Sequence, residues 1–522
     1  MERWNPPKDL SKKEEYIVKR LRRTRKLFAF LRLHRHELLD EPFQVELEEM
    51  YRKTGAGEDP VPPALLCMAS IVQGYLQVSD AEAVELTVMD MRWQLVLDHL
   101  GKEEPAFGQG TLQQFRERLI ANNMDRRLLE RTIELARKTK EFDWKKLPKD
   151  LRVAVDSRPL EGAGRVEDTF NLLGHAARKI VQTTAALLDK RPEDICRAAG
   201  IPLLLHSSIK AGLDINWSDP EEKDRAIEVL ADQVTSLHAW IEKNHLSIEE
   251  PLRPYIEALV QVRQQDLEET ANGHVRIRQG VAHDRRVSIE DPEMRHGRKS
   301  KSKRFNGYKE HIAADLDHEL ILACAVTPAN RPEEEGTPQL QQDIKHQGLK
   351  ISEFAIDRAY VNSGLTADVL ARGGEVVAKP WRAQNRPDLF TKADFKLNLR
   401  DKTITCPTGQ VEHFEAGEVV EFDPEVCGSC PLRAQCTHSA SGGRTVQIAE
   451  GEQLQQRLRK LQGTTKGRAR LRERTRIEHK LAHIAARKGP KARYMGVRKN
   501  LYDLRRAATI QNLETIQRKV AS

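Results

Sequence analysis

The sequence predicts an α/β protein whose mixed sheet is preceded by helices and interrupted by two insertions. Three observations carry that expectation. Leu151-Arg-Val-Ala-Val-Asp156-Ser157 is an apolar run ending in a carboxylate, the composition of a strand buried on both faces. The pattern recurs as Phe354-Ala355-Ile356-Asp357. Between them, residues 304–315 alternate polar and apolar, Asp317-His318 makes a turn and residues 319–326 are strongly apolar, which reads as a hairpin. An aspartate leaving a buried strand lies where open α/β sheets place their ligands. Two such aspartates imply one shared site.

In chain order, residues 12–51 mix charged and apolar side chains as a helical arm, giving an N-terminal unit over 1–58. Asp59-Pro60-Val61-Pro62-Pro63 breaks it. An apolar helix over 64–76 follows, Ser79-Asp80 caps a helix over 81–97, and Gly110-Thr111 opens one over 112–120. Gln113-Gln114-Phe115-Arg116-Glu117-Arg118 fits a helix lying on DNA and an ordinary amphipathic helix equally well. The unit 59–150 is therefore a candidate DNA-binding domain. Residues 166–299 read as a mainly helical insertion, clearest at 180–188, 226–243 and 252–269. Sheet signals resume near 303. Pro332-Glu333-Glu334 starts a helix to about His346. The Asp357 strand, a helix over 363–372 and a short strand over 375–378 complete this part. Residues 383–459 form a cysteine-bearing insertion, and 460–522 are helical and basic.

Without the insertions the order is strand, strand, strand, helix, strand, helix, strand, helix. That is the ribonuclease H-like order, assembled from 151–165, 300–382 and 460–522. A dinucleotide fold is excluded: Gly162-Ala163-Gly164 begins like a G-x-G-x-x-G loop, but Glu167 stands at the third glycine. The phosphate loop G-x-x-x-x-G-K-[ST] is missing too.

At 522 residues, two to four domains are expected. Mean hydropathy is −0.61, and no run approaches the about 18 apolar residues of a membrane span. The first residues lack an apolar signal core, so a cytoplasmic protein is expected. The charge of +8, from 86 basic and 78 acidic residues, is modest, but it is segregated. Residues 285–309 and 466–506 are strongly basic, the footprint of a polyanion partner. A solvated Lys/Arg surface is the plainer alternative.

If the two aspartates hold metal, a third acid is expected from the last helix. On a helical wheel over 466–488, Leu471, Ile477, Leu481, Ile484 and Ala485 gather on one face, with Arg474 and Glu478 inside their arc. A carboxylate there must be paired or metal-bound. Arg474, four residues earlier, is the pairing alternative. Three carboxylates suit Mg²⁺, with Mn²⁺ as a substitute. Two such ions about 4 Å apart activate an attacking water and stabilise a leaving oxygen, which is phosphodiester chemistry.

These residues resemble the DDE-type transposases of bacterial insertion sequences. The resemblance rests on Val155-Asp156-Ser157 with Gly162–Thr169, Ser302–His311, Asp357-Arg-Ala-Tyr360, Arg474-Thr-Arg-Ile-Glu478, Ala492–Lys499 and Gln511-Asn512-Leu513. It covers roughly residues 60–516, helical region included. It implies that Asp156, Asp357 and Glu478 bind two metal ions and that Arg474 belongs to an R-x-x-x-E signature. Leu471 and Ala485 stand where one branch has a tyrosine and a lysine, so Arg487 or Lys488 is expected to replace that lysine. Tyr360 is expected either to position the flanking strand or simply to be packed. Lys303, Arg304, Lys309 and the basic C-terminal helix are expected to hold phosphates of double-stranded DNA. The implied reaction frees a 3′-hydroxyl at the element end and joins it to target DNA. The implied setting is a homodimer on paired ends, nucleoid-associated in a bacterial cytoplasm. A nuclease or resolvase without joining, and a non-catalytic DNA-binding descendant, are the alternatives. A D-x-D phosphatase is disfavoured because Arg158 stands two residues after Asp156.

Seven cysteines are present. Cys67, Cys196 and Cys324 sit singly in apolar contexts. Cys406, Cys427, Cys430 and Cys436 cluster with a C-x2-C core, which fits a structural Zn²⁺, with His413 or His438 as substitute ligands. Reduced core thiols are the alternative.

Overall fold

The computed structural model describes residues 3–21, 25–51, 59–139, 151–246, 250–300, 302–382 and 388–520. Lys301 and the linker before Leu151, both part of the sequence expectations, lie outside the described residues, as do the ends of units placed at 58, 150 and 383.

The helical region comprises α1 (Lys12–Arg20), α2 (Lys26–Leu38), α3 (Glu41–Glu48), α4 (Pro63–Leu76), α5 (Asp80–Met89), α6 (Met91–Leu97), α7 (Gln109–Ala121) and α8 (Met124–Lys138). Ser79 caps α5, accepting from the Glu82 N–H. The helix expected over 81–97 is two. Asp90 leaves helical geometry and caps α6 through the Arg92 N–H at 2.7 Å. Its short carboxylate competes for backbone donors, which a hydrophobic pattern does not reveal. Arm and helical region share one core: Phe28, Leu31 and Phe43 pack in the same cluster as Met68 and Trp93, and that cluster continues into Val153 and Val155.

The sheet begins with β1 (Leu151–Glu161). The insertion follows as α9 (Thr169–Leu187), α10 (Pro192–Ala199), α11 (Ile209–Leu213), α12 (Pro220–Lys243), α13 (Arg253–Asp266) and the hairpin β2 (Leu267–Glu269) and β3 (Val275–Ile277). It has its own core around Leu172, Ile227 and Leu259. The sheet resumes with β4 (Arg295–Arg298), earlier than residue 303, because this edge strand is held by backbone pairing to Arg304–Gly307 and has no apolar alternation to announce it. Then come β5 (Arg304–Asp315), β6 (Ile321–Pro328), α14 (Thr337–His346), β7 (Ile351–Ala355), α15 (Gly364–Ala371) and β8 (Glu375–Val377).

The sheet runs β4-β5-β1-β7-β8, with β6 also paired to β5. β5 lies antiparallel to β1 and β6, whereas β1, β7 and β8 are parallel. This is the mixed, ribonuclease H-like sheet the element order predicts. The cysteine-bearing unit holds β9 (Lys396–Asn398), β10 (Thr403–Thr405), β11 (Val411–His413), β12 (Val419–Glu421), α16 (Pro424–Gly428), α17 (Arg433–Cys436) and β13 (Thr445–Gln447), around Ile404, Phe422 and Ile448. The chain ends in α18 (Glu452–Gly463), α19 (Thr465–Glu473), α20 (Thr475–Lys488) and α21 (Val497–Val520).

α21 is buried along most of its length, wedged against β6 on one side and α4 and α8 on the other. The Asn512 carboxamide accepts from Ile321 N (2.7 Å) and donates to Ile321 O (2.8 Å), so it pairs with the β6 backbone as a strand would. Arg505 bridges Asp125 and Asp343, and Arg506 pairs with Asp503. The expectation of a phosphate-holding C-terminal helix is corrected for these residues: both guanidiniums are enclosed. Composition records their charge but not their burial.

Candidate active site

β1 does not end at Asp156, as the apolar run suggested, but continues to Glu161 along β5. What opens a site is its other neighbour. β1 and β7 pair in register through Ala154 and Ala355, and β7 ends there. Asp156, still on β1, and Asp357, just past the end of β7, therefore each follow that last pair by two residues, where the strands part. Asp357 caps a short turn, Arg358–Tyr360, accepting from the Arg358 N–H at 2.6 Å. Asp156 accepts from the Ser157 N–H at 2.8 Å. Burial raises the Asp156 carboxyl above its usual range. The Arg474 guanidinium and the Ser157 N–H oppose that shift, and nearby Glu333 and Glu478 add to it.

The last helices bring the third acid. Arg474 sits at the break between α19 and α20. Its guanidinium reaches Asp156 Oδ2 at 2.8 Å and Glu478 Oε1 at 2.6 Å, joining strand and helix acids through one cation. Glu478 does not lie inside the apolar arc. Its side chain is 50% exposed, while Ile477, Leu481 and Ile484 face the core. Leu471 belongs to a different helix, so a wheel drawn through the break rotates the arc toward Glu478.

Other expected residues fare differently. Tyr360 is fully buried, and its hydroxyl meets His311 Nδ1 at 2.8 Å. Lys303 and Arg304 are exposed at the β4–β5 end of the sheet. Lys309 is half-buried, with its ammonium donating to Arg331 O at 2.5 Å. Arg487 pairs with Glu514 and lies over the Tyr75 ring. Lys488 cannot present its charge to DNA as placed. Its side chain is 3% exposed and paired with Glu310 (2.5 Å) and Asp503 (2.9 Å). Arg116 is likewise committed, bidentate to Asp80. One residue was missed. Glu333, read only as a helix start, accepts from Ser157 Oγ at 2.9 Å beside Asp156. Its distance in sequence hid it, since only the β5–β6 hairpin returns it to the site.

Cys406, Cys427, Cys430 and Cys436 line one small cavity in the cysteine-bearing unit, which His413 and His438 do not line. Gln410 N donates to Cys406 Sγ at 3.3 Å, and Thr408 Oγ1 lies 3.1 Å from the same sulfur. All four are free thiols. Among the described residues, no three His, Cys, Asp or Glu side chains close into a ready metal cage. The donor chemistry nonetheless suits metal: oxygen-only carboxylates for a hard cation at the sheet edge, and sulfur-only donors for a soft one in the cavity.

Residues 405–517 match the family model of a transposase DDE domain. The matched part of that domain includes the four cysteines, Arg474, Glu478 and most of α21, while Asp156 and Asp357 lie N-terminal to it. Comparison with curated proteins and with solved structures finds no match. Among the described residues, no helix is long and apolar enough to cross a membrane.

Proposed function

We propose that this protein is a DNA transposase that cleaves the ends of its own element and joins the freed 3′-hydroxyl to target DNA. The observation that carries the reading is the convergence of Asp156 and Glu478 on Arg474, with Asp357 two residues past the end of the neighbouring strand β7. Asp156, Asp357 and Glu478 would hold divalent ions, Mg²⁺ or Mn²⁺. Such ions, when bound, activate the attacking oxygen and neutralise charge on the leaving oxygen. Arg474 keeps two repelling acids together until then, and afterwards its guanidinium is free for a DNA phosphate. A water oxygen first attacks the phosphodiester at the element end and releases a 3′-hydroxyl. That hydroxyl then attacks a target phosphodiester, and the broken strand's 3′-oxygen leaves.

Lys303 and Arg304, exposed at the sheet end, are the proposed phosphate contacts, with Lys309 and Arg487 contributing only if their present partners yield. The helical region over 59–139 supplies further DNA surface through the exposed Gln113 and Gln114. The four cysteines would hold a structural Zn²⁺ that braces their unit. The active form is proposed to be a homodimer on paired ends, at the nucleoid of a bacterial cytoplasm.

The test is cleavage of DNA carrying the sequences that flank the gene. Asp156→Asn, Asp357→Asn and Glu478→Gln should each lower Mg²⁺-dependent cleavage at least about a thousandfold, a loss of about 4 kcal/mol in transition-state stabilisation. DNA binding should persist in all three. Undiminished cleavage in any variant removes that residue from the site. Pre-cleaved ends that are never joined to target would make the protein a nuclease instead.

A further inference from the structure

We propose that Glu333 is a fourth cation-holding carboxylate of this site, seated there by a hydrogen bond from the Ser157 hydroxyl. The inference rests on the metal-binding reading of Asp156, Asp357 and Glu478 and extends it to a residue that the transposase DDE match does not reach.

Two runs of contacts lead toward Glu333. Thr327 Oγ1 lies 2.9 Å from His311 Nε2, and His311 Nδ1 lies 2.8 Å from the Tyr360 hydroxyl. Tyr360 lies near the Ser157 side chain. Ser157 Oγ donates to Glu333 Oε1 at 2.9 Å. Ser157 adjoins Asp156, and Tyr360 ends the turn that Asp357 caps, so these contacts lie beside both acids and Glu333. His311 and Tyr360 are fully buried, which makes these positions rigid. The turn bearing Glu333 is seated on the same histidine. A Cβ at Gly336 would fall 2.8 Å from the His311 ring, so glycine permits the approach.

Charge supplies the second argument. Glu333 has no salt-bridge partner among the described residues; the nearby Lys309 ammonium is taken by the Arg331 carbonyl. Asp357 has none either, and Asp156 and Glu478 share a single guanidinium. By contrast, the buried acids Glu310 and Asp503 elsewhere in the core are each paired with two cations. Four carboxylates facing Arg474, with Lys309 acting on Glu333 only at a distance, leave the sheet edge short of positive charge. A divalent ion supplies that charge and satisfies oxygen acceptors together. A helix start tolerates an acid, but that does not account for the bond to Ser157.

The experiment titrates Mn²⁺ into the full-length protein without DNA, following free Mn²⁺ by electron paramagnetic resonance. Glu333→Gln keeps an oxygen to accept from Ser157 and removes only the charge. It should weaken Mn²⁺ binding by roughly tenfold or more, with an unchanged circular dichroism spectrum. Ser157→Ala, which removes the bond but keeps the charge, should weaken it less. If Glu333→Gln does not fold, Glu333→Ala, which also removes the charge, is read in the same way. A Glu333→Gln isotherm that overlays wild type, while Asp156→Asn is weakened, overturns this inference and leaves the parent reading intact. No saturable Mn²⁺ binding by the wild-type protein, or an Asp156→Asn isotherm equal to wild type, overturns both.

Discussion

Arg474 shows how one side chain sets the state of a site. Without a cation between them, Asp156 and Glu478 would repel, and Asp156 would bear the cost because it is the more buried of the two. Arg474→Gln should therefore lower the stability of the metal-free protein by roughly 1–2 kcal/mol, discounted because Glu478 is half exposed. Added Mg²⁺ should raise the melting temperature more in the variant than in wild type; an equal rise would show that arginine and ion do not share these carboxylates. His311 gives a pH prediction. Burial drives its imidazole down to about 3, from an ordinary value near 6.5. The folded state thus binds this proton less readily than the unfolded chain. The stability His311 contributes is complete above about 6.5 and is lost as pH falls from there toward 3. His311→Gln should flatten the fall of stability with acid by up to one proton over that interval, measured by denaturant unfolding at successive pH values. At this scale the sequence marked Asp156 and Asp357, because carboxylates ending apolar strands are unusual, and Arg474 and Glu478 through the helical wheel and the resemblance. It could not distinguish Lys488, sealed against Glu310 and Asp503, from the exposed Lys303.

At the scale of elements, α21 was legible as a helix but not as the spine it forms. Its basic residues suggested solvent and DNA, yet Arg505 lies fully buried between Asp125 and Asp343. Arg505→Met leaves the enclosed Asp343 without a cation, while Asp125 keeps Arg498, and should cost about 3–5 kcal/mol. Asn512→Ala strips the Ile321 N–H and C=O of their partner and should cost roughly 2 kcal/mol. Both are measurable as a lowered midpoint of urea unfolding, and a loss well under half of these values would deny α21 that role. The helix breaks at Asp90 and Arg474 escaped the sequence pattern for one reason. A hydrophobic wheel presumes a continuous helix and carries no information on where a side chain or a change of direction interrupts it.

For the whole molecule, the division of labour follows from separate cores. The sheet shares one with the N-terminal helices and a second with α20 and α21, the α9–α13 insertion has a third, and the cysteine-bearing unit has a small one of its own. A core that small is marginal without a cross-link. If the four thiols hold Zn²⁺, a strong chelator should unfold the cysteine-bearing unit alone. Hydrogen exchange would then accelerate across β9–β13 and stay unchanged in β1 and β5. Uniform protection after chelation, or well under one zinc per chain by elemental analysis, would count against the metal.

The sequence by itself determined the strand-and-helix order, the two aspartates, the R-x-x-x-E pair and the cysteine spacing. Each is local, written in periodicity or in residue types that resist burial without a reason. Tertiary structure alone decided that β7 stops where β1 goes on, that Glu333 returns to Asp156 through Ser157, and which basic residues are enclosed. Those outcomes depend on contacts between residues far apart in the chain, and charge and hydropathy at single positions do not encode which distant side chain becomes the neighbour.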